Sequence, residues 1–225
     1  MEHARSAPAV YRLAIAICLL LQAAQGASVV RLYPVDDTTR DPSFRTFVKR
    51  LRSAVEARDA KALRKLVDAE VVVGSGKDDT GWAKFVAKWH PEDENSEVWT
   101  ALADMISLGF VREHPSLFVS PYLVWRFPRE LSMEGHLVVV RDKAALRVEP
   151  SPNALATALL SFDIVERLGP SRHGEDMVEW IPVRTLEGQT GYVNARDVMS
   201  PLMPRAQFAL RRGHWALVAL EGPDQ

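Results

Sequence analysis

Between residues 41 and 110 the apolar side chains recur at three- and four-residue spacing, the period of a helix with one buried face. Phe44, Phe47, Val48, Leu51 and Val55 make one such stripe, with Arg45, Lys49, Arg50 and Arg52 between them. Asp41 is a good cap for that helix and Pro42 a good first residue. Asp59 caps a second, shorter helix through Ala62, Leu63, Leu66 and Val67. Val71, Val72 and Val73 are β-branched and run into Gly74-Ser75-Gly76, which predicts a strand and a turn. Trp82, Phe85, Val86 and Trp89 predict a third helix, stopped by Pro91. Val98, Trp99, Leu102, Met105 and Ile106 predict a fourth, capped by Asn95 or Ser96 and ended by Gly109.

The pattern then changes. Pro115, Pro121 and Pro128 argue against a long helix over 111–135. Phe118, Val119, Tyr122, Val124, Trp125 and Phe127 are too apolar for a free linker, so this stretch is expected to be a connector packed between two halves. From 136 to 199 short apolar runs alternate with turn signals. Leu137–Val140 is one strand; Ala145, Leu146 and Val148 follow, then a loop at Pro150–Asn153. Phe162, Ile164 and Val165, then Trp180, Ile181 and Val183, then Gly191-Tyr192-Val193 after the turn at Glu187-Gly188, complete the set. Such spacing predicts a small barrel or sandwich. Phe208 and Leu210, the turn Arg212-Gly213-His214, and Trp215, Leu217 and Val218 predict a last hairpin within 200–225. The fold class expected is α+β: a mainly helical domain over 27–135, a small barrel over 136–199 and a terminal hairpin.

The first 26 residues read as an address. Arg5 and Arg12 precede the apolar run Leu13–Leu21, and Ala24 and Gly26 stand at −3 and −1 for cleavage before Ala27. This is the layout of a secretory signal peptide, and the run is short of the ~20 residues that span a bilayer. The expectation is an extracytoplasmic protein, periplasmic or secreted, with no membrane span after cleavage. The one cysteine, Cys18, lies in that apolar run, so the exported chain is expected to carry no thiol chemistry. With 28 basic and 29 acidic residues the net charge is −1, and no basic excess points to nucleic acid.

The span Val138–Val198 resembles the bacterial SH3 domain. Ala145-Leu146-Arg147-Val148-Glu149-Pro150 is similar to that family's opening strand and first loop. Trp180-Ile181-Pro182-Val183 is similar to its Trp-containing strand, and Gly188-Gln189-Thr190-Gly191-Tyr192-Val193 to its late hairpin, with Tyr192 where Trp is more usual and Ser161 where the middle turn usually has Gly. The resemblance implies a small barrel that binds peptidoglycan, a peptide or another envelope protein. Its candidate surface is the rim formed by Pro150, Asn153, Arg172, Glu175 and Tyr192. The first half, with the last hairpin, faintly resembles nuclear transport factor 2-like folds. In that reading Phe208–Leu220 returns to the first domain and the barrel is inserted.

Candidate chemistry is sparse. His90, His114, His136, His173 and His214 show no metal-ligand spacing, and read as turn histidines. Gly74-Ser75-Gly76-Lys77 lacks the spacing of a nucleophile elbow or a phosphate loop. Glu92-Asp93-Glu94 with Glu97 reads as a solvated helix entry, where negative charge suits the dipole. No catalytic residues, metal or cofactor are therefore expected. The leading expectation is an exported, non-catalytic binding protein. An envelope scaffold acting through Trp82, Trp89 or Trp99 is the alternative. A hydrolase drawing on Glu149, Glu166, Glu175, Asp176 or Glu179 ranks below both.

Overall fold

The computed structural model describes residues 30–222 apart from Lys77, Glu175 and Asp176. The signal-peptide reading of 1–26, with Cys18, lies outside the described residues, as does Glu175.

The helices start where the caps predict. Asp41 accepts from the backbone N–H groups of Ser43 and Phe44, both at 2.9 Å, and opens α1 (Pro42–Glu56). Asp59 does the same for α2 (Ala60–Arg64). β1 (Val67–Val72) precedes α3 (Trp82–Trp89), which stops where His90 turns left-handed at φ 43°. Ser96 caps α4 (Glu97–Leu108). The stretch expected as a connector packed between the halves carries regular structure of its own. It forms β2 (Val111–His114), β3 (Leu117–Ser120) and the single-turn α5 (Tyr122–Trp125). Pro115 sits in the β2–β3 turn and Pro121 just after β3, so the prolines bound strands.

The second half contains β4 (His136–Val139), β5 (Ala144–Arg147), β6 (Ala156–Leu160), β7 (Ile164–Arg167), β8 (Arg172–His173), β9 (Glu179–Thr185), β10 (Thr190–Asn194) and β11 (Val198–Met199). The chain ends in β12 (Arg205–Arg211) and β13 (His214–Glu221). Their turn is left-handed at both central residues, Arg212 at φ 51° and Gly213 at φ 83°. That geometry matches strand twist and suits glycine at the second position.

These strands form two sheets. The first runs β1-β13-β12-β3-β2, and the second β11-β4-β7-β9-β10-β5-β6 with β8 added on β9. The expected helical domain followed by an SH3-like barrel is therefore wrong. The molecule is mostly β, with five α-helices among the described residues. Its second sheet is open: β11 and β6 lie at opposite ends of the strand order and do not pair. The helical periods in 42–108 are real, but the sheet those helices cover is assembled from strands far away in the chain, which no local period reveals. β13 is the clearest case, pairing in parallel with β1 through Val67 and Leu217.

Three apolar cores hold the molecule together. Helices α1, α3 and α4 cover one face of the first sheet. At its centre Phe44 stacks on Phe118 at 3.8 Å and meets Phe110, Phe208 and Trp215 edge-on. A second core lies against the second sheet, from Leu137, Leu146, Val165, Val183 and Val193. The third joins the two halves: Leu32, Val111, Tyr122 and Leu123 pack with Val138 and Ile164. The segment before α1 ties across the same seam. Leu32 N–H donates to the Phe162 carbonyl at 2.7 Å, Arg31 pairs with Asp163 at 3.5 Å, and Asp37 N–H donates to Phe110 at 2.7 Å. No helix among the described residues is long and apolar enough to cross a membrane.

Candidate functional site

A cleft of about 1030 Å³ lies at one end of the first sheet. It is built from the loop after β1, the end of α3, the turn into α4, the first two turns of α4, and the end of β13. Each wall is fixed by side chain to backbone bonds across the chain. Trp89, at the end of α3, is buried and donates its indole N–H to the Leu220 carbonyl at 3.2 Å. Ser96 donates to the Trp89 carbonyl. Trp99 donates its indole N–H to the Asp93 carbonyl at 3.0 Å, and Asp93 Oδ1 accepts from Asn95 N–H at 2.8 Å. Two indoles thus anchor the turn from both sides, which is why a run rich in acids keeps a defined shape.

The loop after β1 folds around Asp79. Gly76 N–H donates to Asp79 Oδ2 at 2.9 Å. A Cβ placed on Gly74 or Gly76 would come within 2.5 or 2.7 Å of that oxygen. The glycines of this motif therefore make room for a carboxylate, a packing role rather than a phosphate-loop role.

The electrostatics of the cleft are one-sided. Asp79, Asp93, Glu97, Asp104 and Glu221 line it, against Lys88 and His90. Glu221 is paired with Arg205 at 2.6 Å. Lys88 is already engaged, donating from Nζ to the Val73 carbonyl at 2.6 Å and lying 5.9 Å over the Trp89 ring. Asp104 differs from the other acids. It is half-buried on α4 and has no hydrogen bond or ion pair among the described residues. Burial alone pushes its carboxyl above the usual range, because desolvation disfavours the charged form. No three His, Cys, Asp or Glu side chains among the described residues converge as a metal site would require.

The rim expected from the sequence lies elsewhere, on the second sheet. Arg172 on β8 and Tyr192 on β10 do meet, the guanidinium 5.8 Å over the ring. Pro150 is half-buried and Asn153 exposed in the β5–β6 loop, where Asn153 N–H donates to Ser151 Oγ at 3.3 Å. No hydrogen bond, ion pair or ring contact joins either of them to Arg172 or Tyr192. Tyr192 is half-exposed, whereas Trp180 is buried. Trp82 is partly buried and Trp89 and Trp99 are buried, all within the first core, which removes them as exposed anchors for a partner.

The sequence reading missed Asp79, Lys88, Asp104 and Glu221. For Asp104 a signal existed: after Glu97 it is the lone charge in an otherwise apolar helix, next to Met105 and Ile106.

Comparison with known proteins adds little. No family model matches the chain, the bacterial SH3 domain included, and no curated protein matches it. One solved structure, whose name begins Rd1NTF2_05, aligns with 82% of this chain and 96% of its own at 11% identity, with a TM-score of 0.29. That distant likeness echoes the nuclear transport factor 2 resemblance in name, and at such a score it carries no argument.

Proposed function

We propose that this is an extracytoplasmic, non-catalytic binding protein whose cleft on the first sheet takes a small cationic ligand bearing an amine. The reading rests on Asp104, a partly desolvated carboxylate with no hydrogen bond or ion pair among the described residues, in a cleft whose Lys88 is tied to a backbone carbonyl. A half-buried carboxylate without a partner gives up part of its hydration, and an ammonium group would offset that cost. The other carboxylates that line the cleft would draw the same charge inward. Export rests on the basic start and apolar run of the first 26 residues.

The test is calorimetric titration with spermidine, a lysine-terminated peptide and a neutral disaccharide. The expected result is saturable binding of the two amines, weakened by Asp104→Asn and by rising salt, and none of the disaccharide. Amine binding that Asp104→Asn leaves unchanged would overturn the reading.

The stacked pair Arg172 and Tyr192 favours a second reading, in which this part of the second sheet contacts peptidoglycan or an envelope peptide. Co-sedimentation with purified peptidoglycan, lost in Arg172→Ala, is its expected signature; pelleting that the variant leaves intact would discard it.

A further inference from the structure

We infer that β6 is an assembly edge, and that its partner is β6 of a second copy of this chain, paired antiparallel about Thr157. Four strands end the two strand orders, β1, β2, β11 and β6, and the short β8 laid on β9 is two residues long and basic, Arg172 and His173. Three of the four are guarded in the ways that keep edges from pairing. β1 carries Asp68 and Glu70, β2 carries Arg112, Glu113 and His114, and β11 is two residues long with Pro201 close behind. β6 has no such device. From Asn153 to Phe162 there is no charge, no proline and no glycine. Three large apolar side chains stand out to solvent at this edge: Leu155 at 71%, Leu159 at 60% and, hydrogen-bonded across from Leu155 through its backbone N–H, Val148 at 47%.

The order of residues commits the occupant. Leu155-Ala156-Thr157-Ala158-Leu159 reads the same in both directions. An antiparallel pair centred on Thr157 places Leu155 opposite Leu159 of the other copy, Ala156 opposite Ala158, and each in turn again by symmetry. A two-fold interface requires such self-complementarity, because one patch must serve both sides. A foreign peptide would have no reason to meet a palindrome. Thr157 is the bulged residue of β6, without a partner on β5, and its hydroxyl donates to the Leu146 carbonyl at 3.2 Å. The symmetry axis thus falls where pairing within the sheet is interrupted. The two second sheets would join into one continuous sheet, and the exposed leucines would cover each other.

Sedimentation of the purified protein across a wide micromolar range tests this. The expected result is a monomer–dimer equilibrium. Leu159→Lys, on an exposed side chain, should leave the thermal midpoint unchanged at concentrations where the monomer predominates and weaken the dimer by roughly tenfold or more, since two leucine pairs are lost per dimer. Thr157→Cys in a Cys18→Ser background should cross-link to a covalent dimer under mild oxidation, while Leu210→Cys, exposed on the first sheet, should not. A monomer at every concentration, or a dimer that Leu159→Lys leaves intact, would overturn the inference.

Discussion

The indole N–H of Trp215 on β13 donates at 2.9 Å to the hydroxyl of Ser43, 172 positions earlier, at the first turn of α1. Ser43 in turn donates to Asp41 Oδ1 at 2.6 Å. One carboxylate therefore caps the helix and, through the serine, fixes the tryptophan that packs edge-on against Phe44 and Phe118.

Asp41→Ala should cost about 1–2 kcal/mol, at the upper part of the range for a lost cap because the serine loses its acceptor too. The Ser43 hydroxyl, and then the Ser43 and Phe44 amides, hold the Asp41 carboxyl below the usual range despite partial burial. A depressed carboxylate contributes stability that is complete above its unfolded value and is lost as pH falls through its folded value. Urea midpoints of wild type and Asp41→Asn should therefore converge in acid. A gap that persists unchanged in acid would contradict the relay.

Tyr122 is buried with a hydroxyl that has no hydrogen-bond partner among the described residues, and burial pushes its pKa up to about 12. Tyr122→Phe removes the unsatisfied group and should raise stability by up to about 1–3 kcal/mol. The unfolded chain ionises near the usual tyrosine value of about 10 while the fold keeps the proton. Wild type should therefore lose stability from pH 10 toward pH 12, and Tyr122→Phe should lose less. Chemical denaturation across that window gives the comparison.

Asp104→Asn, with no ligand present, should stabilise the fold at neutral pH, because a desolvated charge is removed. The carboxyl is raised in the fold, so ionising it costs stability above its unfolded value, and acid relieves that cost. The advantage of the variant should shrink as pH falls through the folded value of Asp104. Thermal midpoints from neutral to acid pH measure this, and an advantage that is flat with pH would point to packing instead.

Gly191→Ala should destabilise the second sheet more than Gly188→Ala. A Cβ on Gly191 would come within 2.7 Å of the Arg147 carbonyl oxygen and 2.8 Å of Leu146, a clash with the neighbouring strand worth about 1–3 kcal/mol. Gly188 has open space around it and costs only its left-handed backbone, φ 93°, which is roughly 1 kcal/mol. Equal midpoints for the two variants would show that the β5–β10 contact is slack.

The stripes of α1, α3 and α4 were legible because each helix carries its own period, and α1 and α4 carry their own caps in Asp41 and Ser96. The partner of each strand was not. Nothing in Val67–Val72 announces Leu217, and β6 went unseen because alanine and leucine are not strand formers by habit and follow a loop rich in proline. The resemblance to a closed barrel failed for a related reason: Trp180, Gly188 and Gly191 mark strands and a turn, but closure depends on whether β6 and β11 meet, and no residue type records that. Of the candidate site, Glu97 and Asp93 were visible only as a solvated run. The cleft keeps its shape because Trp89 reaches the carbonyl of Leu220, 131 positions away, and Trp99 reaches back to that of Asp93, which is geometry rather than pattern.

The position of β13 between β1 and β12 has a consequence for how the chain is made. Everything the first sheet needs before Arg205 emerges early, yet its two middle strands come last. A chain delivered from its beginning, whether from a ribosome or through a membrane pore, must hold Phe44, Phe118 and the apolar sides of three helices uncovered until the hairpin arrives, while the second sheet already has all its strands. Such a molecule matures in two stages and depends during the wait on whatever shields nascent chains. Stalled chains ending before Arg205 should resist protease across the second sheet and be cut freely from Pro42 to Leu108.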